Sequence, residues 1–151
     1  MSGSSCCKAL LVDRDEAARG RWRSLLELEE GIRIVGEADN GKAAVNLART
    51  REPELVLLHL NLPDMSGLTA LRLMRERLPS LKAVMLSETA DLAGLFEAMK
   101  TGAQGFLPSG MHPASGHEYL RSVVREEATL SKELLFHFLN AFMGAYCRER
   151  I

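Results

Sequence analysis

The sequence predicts an α/β domain, a doubly wound sheet of five parallel strands with helices on both faces. Three observations predict it. Several short apolar runs show no polar alternation, the habit of strands buried on both faces. Stretches with helical spacing separate them. The two patterns alternate five times, which requires right-handed crossovers and helices above and below the sheet. A chain of 151 residues, 46% hydrophobic and 26% charged, suits one domain around one core.

The elements follow in order. Residues 9–12 make a first strand that ends in Asp13, Arg14 and Asp15. A helix starts near Glu16, with Ala17, Trp22, Leu25, Leu26 and Glu29 at helical spacing; Asp15 is its natural N-cap and Gly31 its stop. Residues 32–38 alternate enough for a second strand nearer an edge, and Asp39-Asn40-Gly41 is turn chemistry. Ala43, Ala44, Leu47 and Ala48 form a small-faced helix ending before Pro53. The third strand, residues 55–60, is continuously apolar except for His59 near its end. Pro63 and Gly67 break the pattern before a third helix over 68–78, closed by Pro79. Residues 82–86 give a fourth strand ending in Ser87, and Leu92, Leu95, Phe96 and Met99 line a fourth helix stopped by Gly102. Residues 104–107 are a short fifth strand, followed by a fifth helix over about 115–127.

A further segment spans 130–151. Ser131 can cap a helix in which Leu134, Leu135, Phe138, Leu139, Phe142, Met143 and Tyr146 form a broad apolar stripe. A five-unit domain closes its core without it, so the stripe needs another surface. Folding back on its own domain and pairing with a second copy or a partner both satisfy it. The expected organisation is a flexible start at 1–7, a main domain at 8–129, and this helix as linker or dimerisation element.

A net charge of −1 advertises neither nucleic acid nor an anionic membrane. No apolar run approaches a membrane span, and residues 1–5 lack the pattern of a secretory signal. Cys6, Cys7 and Cys147 are odd in number, which fits a reducing cytoplasm. A vicinal redox pair at Cys6–Cys7 is the sharper reading and a strand start the plainer one.

Polar residues collect at strand ends: Asp13, Arg14, Asp15, His59, Ser87 and Ser109. In a doubly wound sheet these junctions meet at the carboxyl edge, where strand order reverses.

The residues that carry a resemblance are Leu10-Leu11-Val12-Asp13, Val35-Gly36-Glu37-Ala38-Asp39-Asn40-Gly41, Pro53-Glu54-Leu55-Val56-Leu57-Leu58, Leu62-Pro63-Asp64-Met65-Ser66-Gly67-Leu68 and Gly102-Ala103-Gln104-Gly105-Phe106-Leu107. Over about 8–129 the chain resembles a response-regulator receiver domain of two-component signalling, most like the NarL/FixJ transcription-factor branch. The resemblance implies a CheY-like (flavodoxin-like) sheet in the order 2-1-3-4-5. It also implies an acidic pocket: an acceptor aspartate ending the third strand, two acids after the first that hold Mg²⁺, a hydroxyl after the fourth and a lysine after the fifth. Laid on this chain, the first acid is Asp13, the second is Arg14 and the acceptor is His59. The hydroxyl is Ser87, the lysine position is Ser109 preceded by Pro108, and the switch aromatic is Phe106.

Those departures agree with one another. Mg²⁺ seeks several hard oxygen ligands, and a guanidinium and an imidazole supply none. The expectation is a pseudo-receiver: an interaction module without Mg²⁺ or aspartyl phosphate, in which Arg14 neutralises Asp13 and Asp15. A second reading keeps phosphorylation at another residue, His59, Asp15 or Asp64; Asp64 reads more simply as a turn residue. His59 also fits a neutral hydrogen-bonded histidine or a pH sensor beside Asp13. A third reading sets Asp13, His59 and Ser87 side by side as a hydrolase triad, though no Gly-x-Ser-x-Gly elbow accompanies it. No cofactor or metal is expected, and no enzymatic activity. The expected partners are proteins, with a homodimer formed through the fourth-helix face or the C-terminal helix. No helix-turn-helix pattern stands before Ile151, so any DNA contact would come from a domain outside this chain.

Overall fold

The computed structural model describes residues 7–87, 102–103 and 105–108. Within them lie β1 (Cys7–Val12), α1 (Glu16–Glu27), β2 (Ile32–Ala38), α2 (Gly41–Arg51), β3 (Leu55–His59), α3 (Gly67–Arg77), β4 (Lys82–Ser87) and β5 (Gly105–Pro108). All five strands join one sheet in the order β2-β1-β3-β4-β5, every neighbouring pair parallel. This is the architecture the alternation predicts. The fourth and fifth helices and the 130–151 segment, with Leu135, Phe138, Leu139, Phe142 and Tyr146, lie outside the described residues, as does Ser109.

The core sits on both faces of β1, β3 and β4. Leu10, Leu11, Val56, Leu57, Leu58, Val84 and Met85 are fully buried, which is why these strands read as unbroken apolar runs. At the edge, β2 is mostly half-buried. Its register against β1 jumps, since Ala9 faces Ile34 but Leu10 faces Gly36. Val35 is the extra residue of this bulge. A Cβ on Gly36 would stand 3.1 Å from Leu10 Cδ2 and 3.3 Å from Leu47 Cδ1. Glycine there lets an α2 leucine press on the inner strand.

Each described helix starts on a side-chain cap. Asp15 accepts from the Ala17 amide, as expected; Asn40 accepts from Ala43 and Ser66 from Thr69. These bonds satisfy amides the first turn leaves without partners. The end of α1 differs from expectation. The helix stops at Glu27 rather than near Gly31, and Glu29 lies beyond it. The Leu28 and Glu29 amides bond three residues back, to Leu25 and Leu26. Ile32 then bonds to Glu29, and Cys7 to Gly31. The chain is drawn toward β1 before a fourth turn can form, and Gly31 serves the entry to β2. Helix α2 ends on Glu52, a left-handed residue with φ 48°. Strand β1 begins at Cys7, two residues before the expected start at Ala9. Burial, reinforced by the Glu54 charge, pushes the Cys7 thiol up to about 11, which leaves it protonated at neutral pH; Cys6 lies outside the described residues.

Candidate functional site

The sheet order and register set the site. Val12 lies beside Leu58, and His59 beside Leu86. The residues that follow β1, β3 and β4 therefore emerge together at the carboxyl edge. There Asp13, Asp15, Arg21, His59 and Ser87, with Ala18, Trp22 and Leu86 as the apolar wall, line a cavity of about 70 Å³. The convergence expected from topology is present for Asp13, Asp15, His59 and Ser87.

Asp13 is buried, and its geometry is fixed from three directions. Its Oδ1 accepts the Asp15 N–H at 2.9 Å. Its own N–H donates to the Ala38 carbonyl at 3.1 Å. Its carbonyl accepts from Arg19 Nη1 at 2.8 Å. Asp15 spends one oxygen capping α1. The two carboxylates that line the cavity are thus partly occupied by backbone donors.

His59 is only 4% exposed. Its Nδ1 lies 3.0 Å from the Asn61 nitrogen, which donates to it. The Asn61 carbonyl oxygen is 3.1 Å from the same ring atom. A single ring nitrogen cannot accept and donate at once; the amide bond assigns the neutral proton to Nε2. The backbone that carries the ring is closely approached by α3. A Cβ on Gly67 would fall 2.2 Å from the His59 carbonyl oxygen, and the Gly67 amide bonds to Leu60 at 2.7 Å. Only glycine lets α3 start this close to the end of β3.

Arg14 takes no part in the cavity. It is exposed, and its side chain makes no ion pair with Asp13 or Asp15. The cation among the described lining residues is Arg21, one turn beyond Ala18 on α1. The sequence reading missed it: Arg21 is exposed, at the border of the buried stripe of Ala18, Trp22 and Leu25 rather than within it. Phe106, the expected switch aromatic, is buried in β5 opposite Met85.

Asp64 proves to be more than a turn residue. Its two carboxylate oxygens accept the N–H groups of Gly41 at 2.7 Å and Lys42 at 2.9 Å. These bonds hold its carboxyl below the ordinary aspartate value. The β3–α3 loop is latched to the start of α2, where the helix dipole also favours an anion. Between α1 and β2, the Glu37 carboxylate takes Arg23 through two 2.7 Å bonds and Arg19 at 3.2 Å. Hydrogen bonds and charge from Arg23 and Arg19 lower the Glu37 carboxyl from its ordinary value. Neither cluster was anticipated from sequence, since both join residues distant in the chain.

Asp13 does not sit on His59 Nδ1 as a triad carboxylate would. A triad needs the carboxylate to hold the Nδ1 proton of histidine. Here Nδ1 takes the Asn61 amide and the Asp13 oxygen takes the Asp15 amide.

Comparison with known proteins agrees with the fold. The profile of the response regulator receiver domain matches residues 9–123. The nitrate/nitrite response regulator NarL of Escherichia coli (strain K12) is 34% identical over 134 residues, covering 89% of this chain and 62% of that protein. The response regulator UvrY of the same strain is 32% identical, covering 82% and 61%. The receiver domain of the putative response regulator NarL from Mycobacterium tuberculosis superposes with a TM-score of 0.73 at 23% identity, over 80% of this chain and 98% of that one. This chain spans about three fifths of the length of these curated relatives. A matching profile over most of the chain, the 2-1-3-4-5 parallel sheet and relatives of the NarL kind together establish that the chain belongs to the response-regulator receiver family of two-component systems.

Proposed function

We propose that this receiver regulates through protein contacts, without Mg²⁺-dependent aspartyl phosphorylation and without an enzymatic activity of its own. The observation that carries the reading is His59: a buried imidazole stands at the end of β3, where the family places its acceptor carboxylate, and its Nδ1 is engaged by Asn61. An acyl phosphate needs a carboxylate, so none forms at this residue.

The donor set does not fit Mg²⁺ either. That ion demands near-octahedral oxygen ligands. Asp13 and Asp15 each give an oxygen to a backbone amide. His59 offers nitrogen, Arg14 faces solvent, and Arg21 brings a positive charge to the same cavity. Arg21, rather than Arg14, is placed to offset the carboxylates. The remaining family cation position is Ser109, a neutral residue.

The resemblance to NarL-type regulators points to control of gene expression in the cytoplasm. This chain would act there as a homodimer and reach DNA only through a domain outside it. The decisive test is incubation with acetyl phosphate and Mg²⁺ followed by intact-mass measurement. The expected result is no phosphoryl gain. The triple variant Arg14→Asp, His59→Asp, Ser109→Lys is expected to gain one phosphoryl group in the same assay. Phosphorylation of the unsubstituted chain overturns the reading.

A further inference from the structure

His59 Nδ1 faces both hydrogen-bonding groups of one residue. The Asn61 amide nitrogen is 3.0 Å away and the Asn61 carbonyl oxygen 3.1 Å away. The neutral ring uses its lone pair and takes the N–H. A protonated ring carries hydrogen at Nδ1; it then repels that amide and donates to the carbonyl instead. Both charge states have a partner within reach, but in the protonated state the Nδ1 hydrogen stands against the Asn61 N–H 3.0 Å away, which drives that amide off the ring.

Asn61 is coupled to what surrounds it. It bridges to Ser66, the N-cap of α3. The Leu62 amide bonds to the Met65 carbonyl at 3.2 Å. Asp64, in the same loop, holds the Gly41 and Lys42 amides at the start of α2. A changed bond at Asn61 therefore reaches the first turns of two helices.

The charged groups facing the ring, among the described residues, are Asp13 and Asp15 from the β1–α1 loop and Arg21 from α1; β4 contributes the uncharged Ser87 hydroxyl.

We propose that protonation of His59 resets the β3–α3 loop, so that this receiver responds to proton activity at the position where its family responds to phosphorylation. The proposal rests on the reading above, in which no phosphoryl group or metal occupies the cavity and Asp13 and Asp15 are counter-charges rather than ligands.

The test is a ¹⁵N NMR titration of the full chain over about pH 5 to 8, the range in which histidines ordinarily change charge. Nδ1 of His59 is expected to behave as a bare acceptor at the alkaline end and as a protonated nitrogen at the acid end. The amides of Asn61, Gly41 and Lys42 are expected to shift with the same midpoint. His59→Gln identifies the His59 signal among the other histidines and removes the shared midpoint. Asp64→Asn keeps the midpoint at Asn61 and loses it at Gly41 and Lys42. A proton on Nδ1 at the alkaline end overturns the proposal. So does a His59 that stays neutral throughout, or one that titrates while those three amides stay still. A phosphoryl gain in the mass assay is a separate failure, that of the underlying reading.

Discussion

Two single residues show how much local geometry the site depends on. Gly67 admits no Cβ because one would lie 2.2 Å from the carbonyl oxygen of His59. The obstacle is backbone, so a side chain there must push β3 and α3 apart. Gly67→Ala is expected to lower stability by about 1–3 kcal/mol, the usual range for forced overpacking, seen as a lower urea midpoint. It should also displace the His59 ring, read from its NMR signals. Glu52 is the opposite case. It holds φ 48° as the cap of α2 with no glycine to ease it. Glu52→Gly is expected to stabilise by at most about 1 kcal/mol: a glycine here relieves left-handed strain but adds freedom to the unfolded chain. Thermal unfolding reads the sign. At this scale the sequence was legible where one residue type has one chemistry. Asp15 as a cap followed from its place before an apolar stripe. Arg14 and Arg21 were not separable that way, because both are arginines near the same acids. Only the phase of α1 decides which one faces the cavity.

Between elements, the Asp64 latch carries the clearest pH signature. Two amide donors lower its carboxyl from the ordinary value. Its contribution is therefore full above the unfolded aspartate value, about pH 3.9, and is lost as pH falls through the depressed folded value. Asp64→Asn is expected to lower stability at neutral pH and to flatten the acid limb of the urea-midpoint curve, so that variant and parent converge at low pH. Convergence failing to appear would remove Asp64 from the acid response. Order and type of the described elements were legible from short unbroken apolar runs alternating with stretches of helical spacing. The end of α1 was not, because it is set by Gly31 bonding to Cys7 and Glu29 to Ile32. The bond from Cys7 joins β1 to the turn and exists only once the sheet has assembled. The Glu37 cluster is of the same kind: its charges are 14 and 18 residues apart in the chain.

For the whole molecule, assembly turns on the apolar stripe near the end of the chain. The stripe of Leu135, Phe138, Leu139, Phe142 and Tyr146 gives a defined experiment. Light scattering is expected to report a dimer for the full chain. If the stripe carries the contact, a chain ending at Leu130 is expected to be monomeric. A dimer that survives the truncation moves the interface to the receiver body. Topology was legible at this scale because strict alternation admits few arrangements. The chemistry of the carboxyl rim was legible as composition but not as geometry, since the Asn61 backbone bond to the ring has no sequence signature.

The bulge at Val35 has one more effect. A sheet border is a ready comb of amide and carbonyl groups on which a stranger's extended segment can add. Displacing Val35 from the ladder interrupts the even spacing of that comb midway along β2 and increases its coil. An incoming segment finds only short lengths it can match, so the border resists runaway stacking of one copy on the next.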